Sequence, residues 1–304
     1  MQIFFTTFNQ MLILFLCIIA GYILTKTKVL PDNSANILAK LENYLLIPCL
    51  ILNTFIEKSS INNLSHHIST LTAALIVLMI TIAISLFASS ALTTDHYQKN
   101  LFRYSLITPN YNFMGNALAL GIFGIDFLFE YMIYNIPLTI FTYTIGISWL
   151  KNEQSGIKLS SLINPISISM ILGLILGLVT IPLPTFFIST VSSFGSCMSP
   201  IAMLLTGMII GHYRLGSLIN NPKIYIISGI RLVVIPIIFL LLFKVTGLGQ
   251  SAMPLAICTL AMPLGLNTII IPAAYGQDTS VGASMTLISS ILSLITIPVI
   301  FALI

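Results

Sequence analysis

Charged side chains are scarce in this sequence. Lysine, arginine, aspartate and glutamate together make up 7% of its 304 residues, whereas about a quarter is usual in a soluble globular domain. Hydrophobic residues make up 57%, and the mean hydropathy is +1.04. This composition excludes a soluble domain of this size and predicts a polytopic membrane protein in a lipid bilayer.

Runs of basic residues are also absent, and the formal net charge is only +4. Nucleic acid is therefore not an expected partner, because its phosphates are bound by clustered lysine and arginine. The sequence also lacks the HExxH, GxSxG, P-loop and haem-attachment patterns. An intramembrane enzyme or a receptor is accordingly disfavoured, and no cofactor is expected.

Cysteine is rare as well. The four thiols lie inside apolar runs and show no CxxC spacing, so they are predicted to be buried packing residues rather than disulfides or metal ligands. They are Cys17, Cys49, Cys197 and Cys258.

Long apolar runs are what the sequence has in abundance. A spanning helix needs about 20 mostly apolar residues, and this rule predicts ten spans. Their approximate limits are 3–24, 37–56, 68–92, 101–123, 126–149, 161–182, 186–210, 222–243, 252–274 and 281–303.

The distribution of lysine and arginine predicts the orientation of these spans. With the N-terminus outside, nine of the 12 basic residues fall in cytoplasmic loops and two in external loops, which agrees with the positive-inside rule. The first basic residues, Lys26 and Lys28, follow the first apolar run, so this run is predicted to be a retained span and not a signal peptide. We expect a multi-pass protein of the cell (inner) membrane with both termini outside.

Two of the apolar spans contain polar, helix-breaking residues near their middle. Hydrocarbon offers no water to satisfy freed backbone groups, so such a break is tolerated only where protein or an aqueous cavity surrounds it. In secondary transporters, broken helices of this kind form the substrate site. The two interruptions, at 107–124 and 260–276, supply the predicted substrate-binding residues Pro109, Asn110, Asn112, Gly115, Asn116, Pro263, Gly265, Asn267 and Thr268.

The two interruptions also indicate an internal repeat. Three pairs of prolines are separated by 152 to 154 residues, close to half the chain length: Pro31 and Pro184, Pro48 and Pro200, and Pro109 and Pro263. Five spans per repeat is an odd number, so the two halves are predicted to lie inverted in the membrane, with the polar segment 151–160 linking them. Inverted repeats of this kind place a binding site between the halves near the membrane midplane.

Several stretches of the sequence resemble a known family. They are GYILTKTKVLP (21–31), NYLLIPCLILNTF (43–55), NYNFMGNALALGIFG (110–124), GIRLVVIPII (229–238) and MPLGLNTIIIPAAYGQD (262–278). Together they resemble the auxin efflux carrier family in its bacterial malate/malonate permease-like branch. The chain departs from the family pattern at Asn112, where the family has glycine, and at Ala117, where it has proline.

This resemblance implies an all-α membrane fold of ten helices in two inverted five-helix repeats, similar to bile-acid symporters and sodium/proton antiporters. It implies a scaffold domain at 1–60 and 161–212 (spans 1, 2, 6 and 7) that forms a homodimer. It further implies a mobile transport domain at 68–150 and 221–304 (spans 3–5 and 8–10), whose broken helices 4 and 9 cross.

The roles of the polar residues in the breaks stay open at this point. An amide offers donors and an acceptor without the desolvation cost of a charge, so Asn110, Asn112, Asn116 and Asn267 suit a carboxylate or an ion. The alternative is that they cap broken helix ends. The hydroxyl of Thr268 is a weaker candidate, because such groups often bond to their own helix.

Three charged residues are predicted coupling or counter-charge groups. Arg231 lies inside the eighth span. It is either a counter-charge for an anionic substrate or a charge partner that controls movement, or else it snorkels to the cytoplasmic surface or bonds freed backbone carbonyls. Glu42 and Glu130 lie near span ends, where proton coupling competes with simple solvation at the interface.

The sequence thus favours a secondary active transporter that carries a small organic anion, such as malate, malonate or an auxin-like acid, by an elevator-type alternating-access movement coupled to H+ or Na+. The alternative on the same fold is a cation/proton exchanger, which is disfavoured because every carboxylate lies near a span end or in a loop. Two glycine pairs, Gly173-x3-Gly177 and Gly207-x3-Gly211, allow close helix contact, either within one subunit or at a dimer seam.

Overall fold

The computed structural model describes residues 2–59, 64–151, 159–179, 182–247 and 250–304, and these residues are almost entirely helical. The polar segment predicted to link the two halves lies mostly outside the described residues. Within them the β-structure is a single bridge between Pro109 and Leu264. The predicted all-α class is therefore confirmed.

The first half of the chain begins with long helices and then becomes segmented. Its α-helices are α1 (Gln2–Lys26), α2 (Ser34–Leu41), α3 (Ile47–Lys58), α4 (Leu64–Leu92), α5 (His96–Ile107), α6 (Asn116–Leu118), α7 (Ile125–Tyr134), α8 (Ile136–Phe141) and α9 (Ile147–Lys151).

The second half shows the same mixture of long and interrupted helices. It contains α10 (Pro165–Val179), α11 (Thr185–Gly211), α12 (Leu215–Leu218), α13 (Pro222–Gly229), α14 (Ile235–Thr246), α15 (Met253–Leu260), α16 (Asn267–Ala274) and α17 (Ser280–Phe301). Short 3₁₀ turns lie at Leu159–Leu162 and Gln250–Ala252.

Wide π-type turns continue several of these helices, at Glu42–Leu46, Tyr111–Gly115, Ala119–Phe123, Thr142–Gly146 and Ile230–Val234. Two of them come just before a proline, Pro48 and Pro236. Proline has no N–H to donate, and its ring clashes with the carbonyl four residues earlier. A wider turn takes the chain past this obstacle and keeps the span helical.

Six helical segments among the described residues are long and apolar enough to cross a membrane: Gln2–Lys26, Ser34–Lys58, His67–Leu92, Thr185–Gly211, Pro222–Thr246 and Ser280–Phe301. The other four predicted spans contain shorter helices, of which Pro165–Val179 is continuous over 15 residues. That these shorter segments also cross the membrane, and that the halves are inverted, stay predictions.

Glycines bring α1 and α11 into close contact. A Cβ added at Gly21 would overlap the carbonyl oxygen of Leu204, and one at Gly207 would overlap that of Ile18. The two backbones therefore touch in both directions, as small residues permit in membrane helix pairs.

The glycine pair Gly173 and Gly177 holds α10 against α3 in the same way. A Cβ at Gly173 would lie 2.7 Å from the Cβ of Phe55, and one at Gly177 would lie 2.6 Å from the carbonyl oxygen of that residue. Gly211 likewise packs on Thr25 of α1. All of these glycines contact helices of the same chain, so of the two alternatives the structure shows packing within one subunit.

The four thiols are free. Only Cys258 is buried, whereas Cys17 and Cys49 are partly exposed and Cys197 is exposed. The prediction of buried packing was therefore wrong for three of them. The physical reason is that a thiol is a small apolar group, which the lipid-facing side of a membrane helix accommodates as readily as the core does.

Candidate functional site

The two interrupted segments meet at their breaks. Helix α5 ends at Ile107 and α15 ends at Leu260. Between the extended stretches that follow them, the amide of Asn110 donates to the carbonyl of Pro263 at 2.8 Å, beside the bridge from Pro109 to Leu264. The structure thus confirms that both segments are interrupted, and it brings the interruptions together. We call the place where these two breaks meet the crossing.

Two of the predicted glycines lie in tightly packed surroundings in this region. A Cβ at Gly265 would lie 3.2 Å from the carbonyl oxygens of Thr108 and Pro109, so the larger side chain would push the two breaks apart. A Cβ at Gly115 would overlap the hydroxyl of Tyr131, which donates to the carbonyl of Tyr111 at 3.2 Å. These glycines shape the crossing without offering side-chain groups to a ligand.

Arg231 binds the backbone at the ends of both broken helices. Its Nη1 donates to the carbonyl of Leu106 at 2.7 Å, its Nη2 to that of Thr259 at 2.9 Å, and its Nε to that of Met262 at 3.3 Å. The side chain is fully buried. Of the alternatives for Arg231, bonding to freed carbonyls describes its contacts, and snorkelling to the membrane surface is excluded by its burial.

This position also suits the charge of Arg231. The carbonyl end of a helix carries a partial negative charge, which a nearby cation stabilises. Here two such ends, those of α5 and α15, converge on one guanidinium, whose planar array of donors can serve several acceptors at once.

Polar side chains that the sequence did not single out complete the crossing. The hydroxyl of Thr259 donates to Oδ1 of Asn135 at 3.1 Å, and the amide of Leu264 donates to Oγ of Ser289 at 3.1 Å. Asn135 and Ser289 are both buried. Asn135 follows an apolar run and precedes Pro137, which was the available signal for a third kinked segment.

The predicted asparagines do not share one environment. Asn110 and Asn116 are buried, and Oδ1 of Asn110 has no hydrogen-bond partner among the described residues. Asn116 lies in α6, which packs against α1 and α11. Asn112 and Asn267 are partly exposed, which leaves them the more accessible pair.

Asn267 is the first residue of α16, directly after the second break. Its Nδ2 donates to the hydroxyl of Tyr104 at 2.9 Å. The hydroxyl of Tyr104 can also donate a hydrogen bond. If the amide of Asn267 rotates by half a turn, its Oδ1 accepts from this hydroxyl and its Nδ2 becomes free to donate to another group. The next residue, Thr268, donates to the carbonyl of Gly265 at 2.8 Å and is fully buried, so it serves the helix start.

A cavity of about 830 Å³ reaches Asn267. Of the predicted substrate-binding residues, Asn267 alone lines it. One wall is formed by α2, the turn after it, the start of α10 and the end of α11; the other is formed by the π-type turn before α9, α9 and α16. Its polar lining residues include Asp32, Asn36, Lys40, Asn43, Tyr44, Tyr143, Asn164, His212, Tyr213 and Thr279.

Glu42 is not at an interface. It is fully buried in the π-type turn between α2 and α3, and neither carboxyl oxygen has a hydrogen-bond partner among the described residues. The solvated alternative is therefore wrong. The turn is covered by α10 and α11, whose helical residues carry no Asp, Glu, Lys, Arg or His.

Glu130 lies in α7, beside the first turn of α4. Its Oε1 is 3.5 Å from Nδ1 of His67, and its side chain is 24% exposed. Nearby, Lys58 at the end of α3 pairs with Asp126 of α7 at 2.9 Å. Glu130 therefore lies in a polar cluster with His67 and does not line the cavity.

Tyrosines join the loops near the mouth of the cavity. The hydroxyl of Tyr213 bonds Thr279, and Nζ of Lys26 donates to the carbonyl of Tyr213 at 2.7 Å. Burial and the neighbouring Asp278 raise the pKa of Tyr97 to about 12. The phenol donates to the carbonyl of Asp278 at 2.8 Å.

Comparison with protein-family models identifies the chain. A family model described as "Membrane transport protein" matches residues 6–161 and 152–301. The chain belongs to the auxin efflux carrier family. The family assignment confirms the predicted resemblance, and with the apolar helices it identifies the chain as a multi-pass membrane transporter. A comparison with curated protein sequences gives no match.

Proposed function

We propose that this auxin efflux carrier family member is a secondary active transporter for a small organic anion with a carboxylate group. The observation that carries the proposal is the cavity that reaches Asn267, in the segment that follows the second break, where two broken helices are joined through a buried arginine. Small-molecule sites have volumes of about 300–1,000 Å³, and the cavity of about 830 Å³ lies within that range.

The charge around the crossing supports an anion. The segments that start after the breaks direct helix N-termini, with their partial positive charge, towards the middle of the molecule. Arg231 adds a full positive charge that is buried against backbone carbonyls. Substrate carboxylates in other transporters bind at half-helix N-termini of this kind. In our proposal Asn267 contacts the carboxylate, and Arg231 balances the partial negative charge at the ends of α5 and α15, so that these ends do not repel the anion.

The position of the cavity supports an elevator-type movement. One wall belongs to the proposed scaffold domain (1–60 and 161–212) and the other to the proposed transport domain (68–150 and 221–304). By the positive-inside rule its mouth, near Lys40 and His212, faces the cytoplasm, and both termini lie outside the cell membrane. Sliding of the transport domain along the scaffold would carry Asn267 to the other side.

The experiment is uptake into proteoliposomes that contain the purified full-length protein. A panel of mono- and dicarboxylates, including malate, malonate and an indole acid, is compared with vesicles that lack protein. We expect at least one acid to enter, and we expect Asn267→Ala to lower its entry at least about 10-fold. Asn220→Ala is the matched control, because Asn220 is exposed and does not line the cavity. Absence of entry for every acid would contradict the proposal.

A further inference from the structure

We infer that the guanidinium of Arg231 takes the place of a coupling sodium ion. It binds the backbone carbonyls that would hold such an ion in a carrier with broken helices. This chain therefore binds no sodium ion at its crossing. The inference deepens the proposed function and rests on it for its biological meaning. Its test measures ion binding and stability, and does not depend on finding the substrate.

The contacts of Arg231 are those of a cation site. Three donors of one guanidinium bind three carbonyls, those of Leu106, Thr259 and Met262, at 2.7, 2.9 and 3.3 Å. Leu106 belongs to the first broken segment, and the other two belong to the second. Unwound carbonyls and half-helix C-terminal ends are the groups that coordinate Na+ in transporters with discontinuous helices. Here each of the three carbonyls already has a positively charged partner.

The guanidinium of Arg231 also supplies the positive charge that balances the helix ends at the crossing. Two helix ends with partial negative charge converge on Arg231, and all three of its hydrogen-bond acceptors are neutral backbone carbonyls. A sodium ion added beside the guanidinium would meet a like charge in a region screened from water, with these oxygens already engaged. A second monovalent cation is therefore both unnecessary and opposed.

The local backbone explains how an arginine reaches this position. Arg231 is the second residue of the π-type turn Ile230–Val234, which comes before Pro236. The wide turn displaces the side chain from the register of an ordinary helix. The side chain is fully buried. It links the end of α5 to the end of α15 by binding Leu106, which is 125 residues away in the sequence, and Thr259, which is 28 residues away. The positive charge is thus a covalent part of the proposed transport domain, which contains both breaks.

The test is thermal unfolding of the purified full-length protein in sodium chloride, potassium chloride and choline chloride at equal ionic strength. We expect the same Tm for the wild type in all three salts, because a ligand raises Tm only if it binds the native state. We expect Arg231→Ala to lower Tm by roughly 5–10 °C, because it removes a buried charge from its partners. Part of that loss should be recovered in sodium chloride alone, since the freed carbonyls can then accept a small cation.

Arg231→Lys is the control for charge. An ammonium keeps the positive charge but lacks the planar array of donors, so this variant should have an intermediate Tm and no preference for sodium. A saturable rise in the Tm of the wild type with sodium, or folded Arg231→Ala that ignores sodium, would overturn the inference. If Arg231→Ala does not fold, the wild-type and Arg231→Lys measurements still decide it. A sodium response of the wild type would leave anion entry into proteoliposomes intact as a separate result.

Discussion

Two regions of this transporter use glycine and proline for opposite purposes. Where α1 meets α11 and α3 meets α10, glycines let continuous helices touch backbone to backbone. At the crossing, Pro109 and Pro263 lie in extended stretches between helices, and Gly265 lets these stretches pass at contact distance. The first region satisfies its backbone groups internally, whereas the second relies on Arg231 and on the partner break.

The comparison teaches where stability and function reside. A continuous membrane helix needs no partner for its hydrogen bonds, so its contacts are mainly a matter of shape. An interrupted helix frees polar groups that must find partners inside the protein. The side chain of Asn267 remains accessible there, and in our proposal it is the group that a solute contacts.

The largest expected effect is loss of folding from a change in the continuous region. Gly207→Ala would place a Cβ on the carbonyl oxygen of Ile18, and overpacking against backbone costs about 1–3 kcal/mol or more. We expect a large fall in the yield of folded protein, measured by size-exclusion chromatography in detergent. Gly229→Ala is the control, because nothing lies within 4 Å of a Cβ at that helical position; equal yields for the two variants would contradict this account of α1 and α11.

Gly265→Ala sharpens the same comparison at the crossing. Its Cβ would lie 3.2 Å from Pro109 and Thr108, a contact that a shift of a few tenths of an ångström relieves. We expect a loss of about 1 kcal/mol in stability and a much larger loss of carboxylate entry into proteoliposomes. A variant that transports normally would show that the spacing of the two breaks is not important for the site.

Asn267→Ala tests the accessible group itself. It removes one hydrogen bond to Tyr104, so the free energy of unfolding should fall by about 1 kcal/mol. Entry of the carboxylate should fall at least about 10-fold, as expected when a charged hydrogen bond to the ligand is lost. Tyr104→Phe breaks the same internal bond but leaves the amide in place, so we expect it to retain more transport than Asn267→Ala.

The smallest expected effect is a gain in stability from Glu42→Leu. Burial of a carboxyl without a partner is unfavourable, and both oxygens of Glu42 lack one among the described residues. We expect thermal unfolding to show stabilisation by about 1 kcal/mol. Glu42→Gln keeps the size and polarity of the group and should change little. Destabilisation by Glu42→Leu together with loss of transport would instead identify Glu42 as a functional group.

Local sequence signals were enough to predict the breaks. Pro109 and Pro263 each interrupt an apolar run with glycine and asparagine close by, and backbone rules then demand a break. The same signals correctly indicated an all-α membrane protein and its family. They could not rank the asparagines, because access to the cavity depends on α2, α10 and α11, which are distant in the sequence.

The surroundings of individual polar and charged side chains could not be predicted from the neighbouring sequence. Arg231 binds a carbonyl 125 residues away, and Asn267 bonds a tyrosine 163 residues away. Glu42 looked solvated because it lies near a predicted span end, but packing of α10 and α11 over its turn buries it completely. Such outcomes depend on which faces of several helices meet.

The central claim is that the cavity gives solutes access to the second break at Asn267 from the side of the basic loops. It is tested most directly by labelling Asn267→Cys with a membrane-impermeant thiol reagent, in a chain whose four native cysteines have been replaced. Thr268→Cys is the matched control, since Thr268 is fully buried. The account predicts labelling of Asn267→Cys from the cytoplasmic side, protection by the transported carboxylate, and no labelling of Thr268→Cys. Equal labelling of both positions, or labelling of neither, would contradict it.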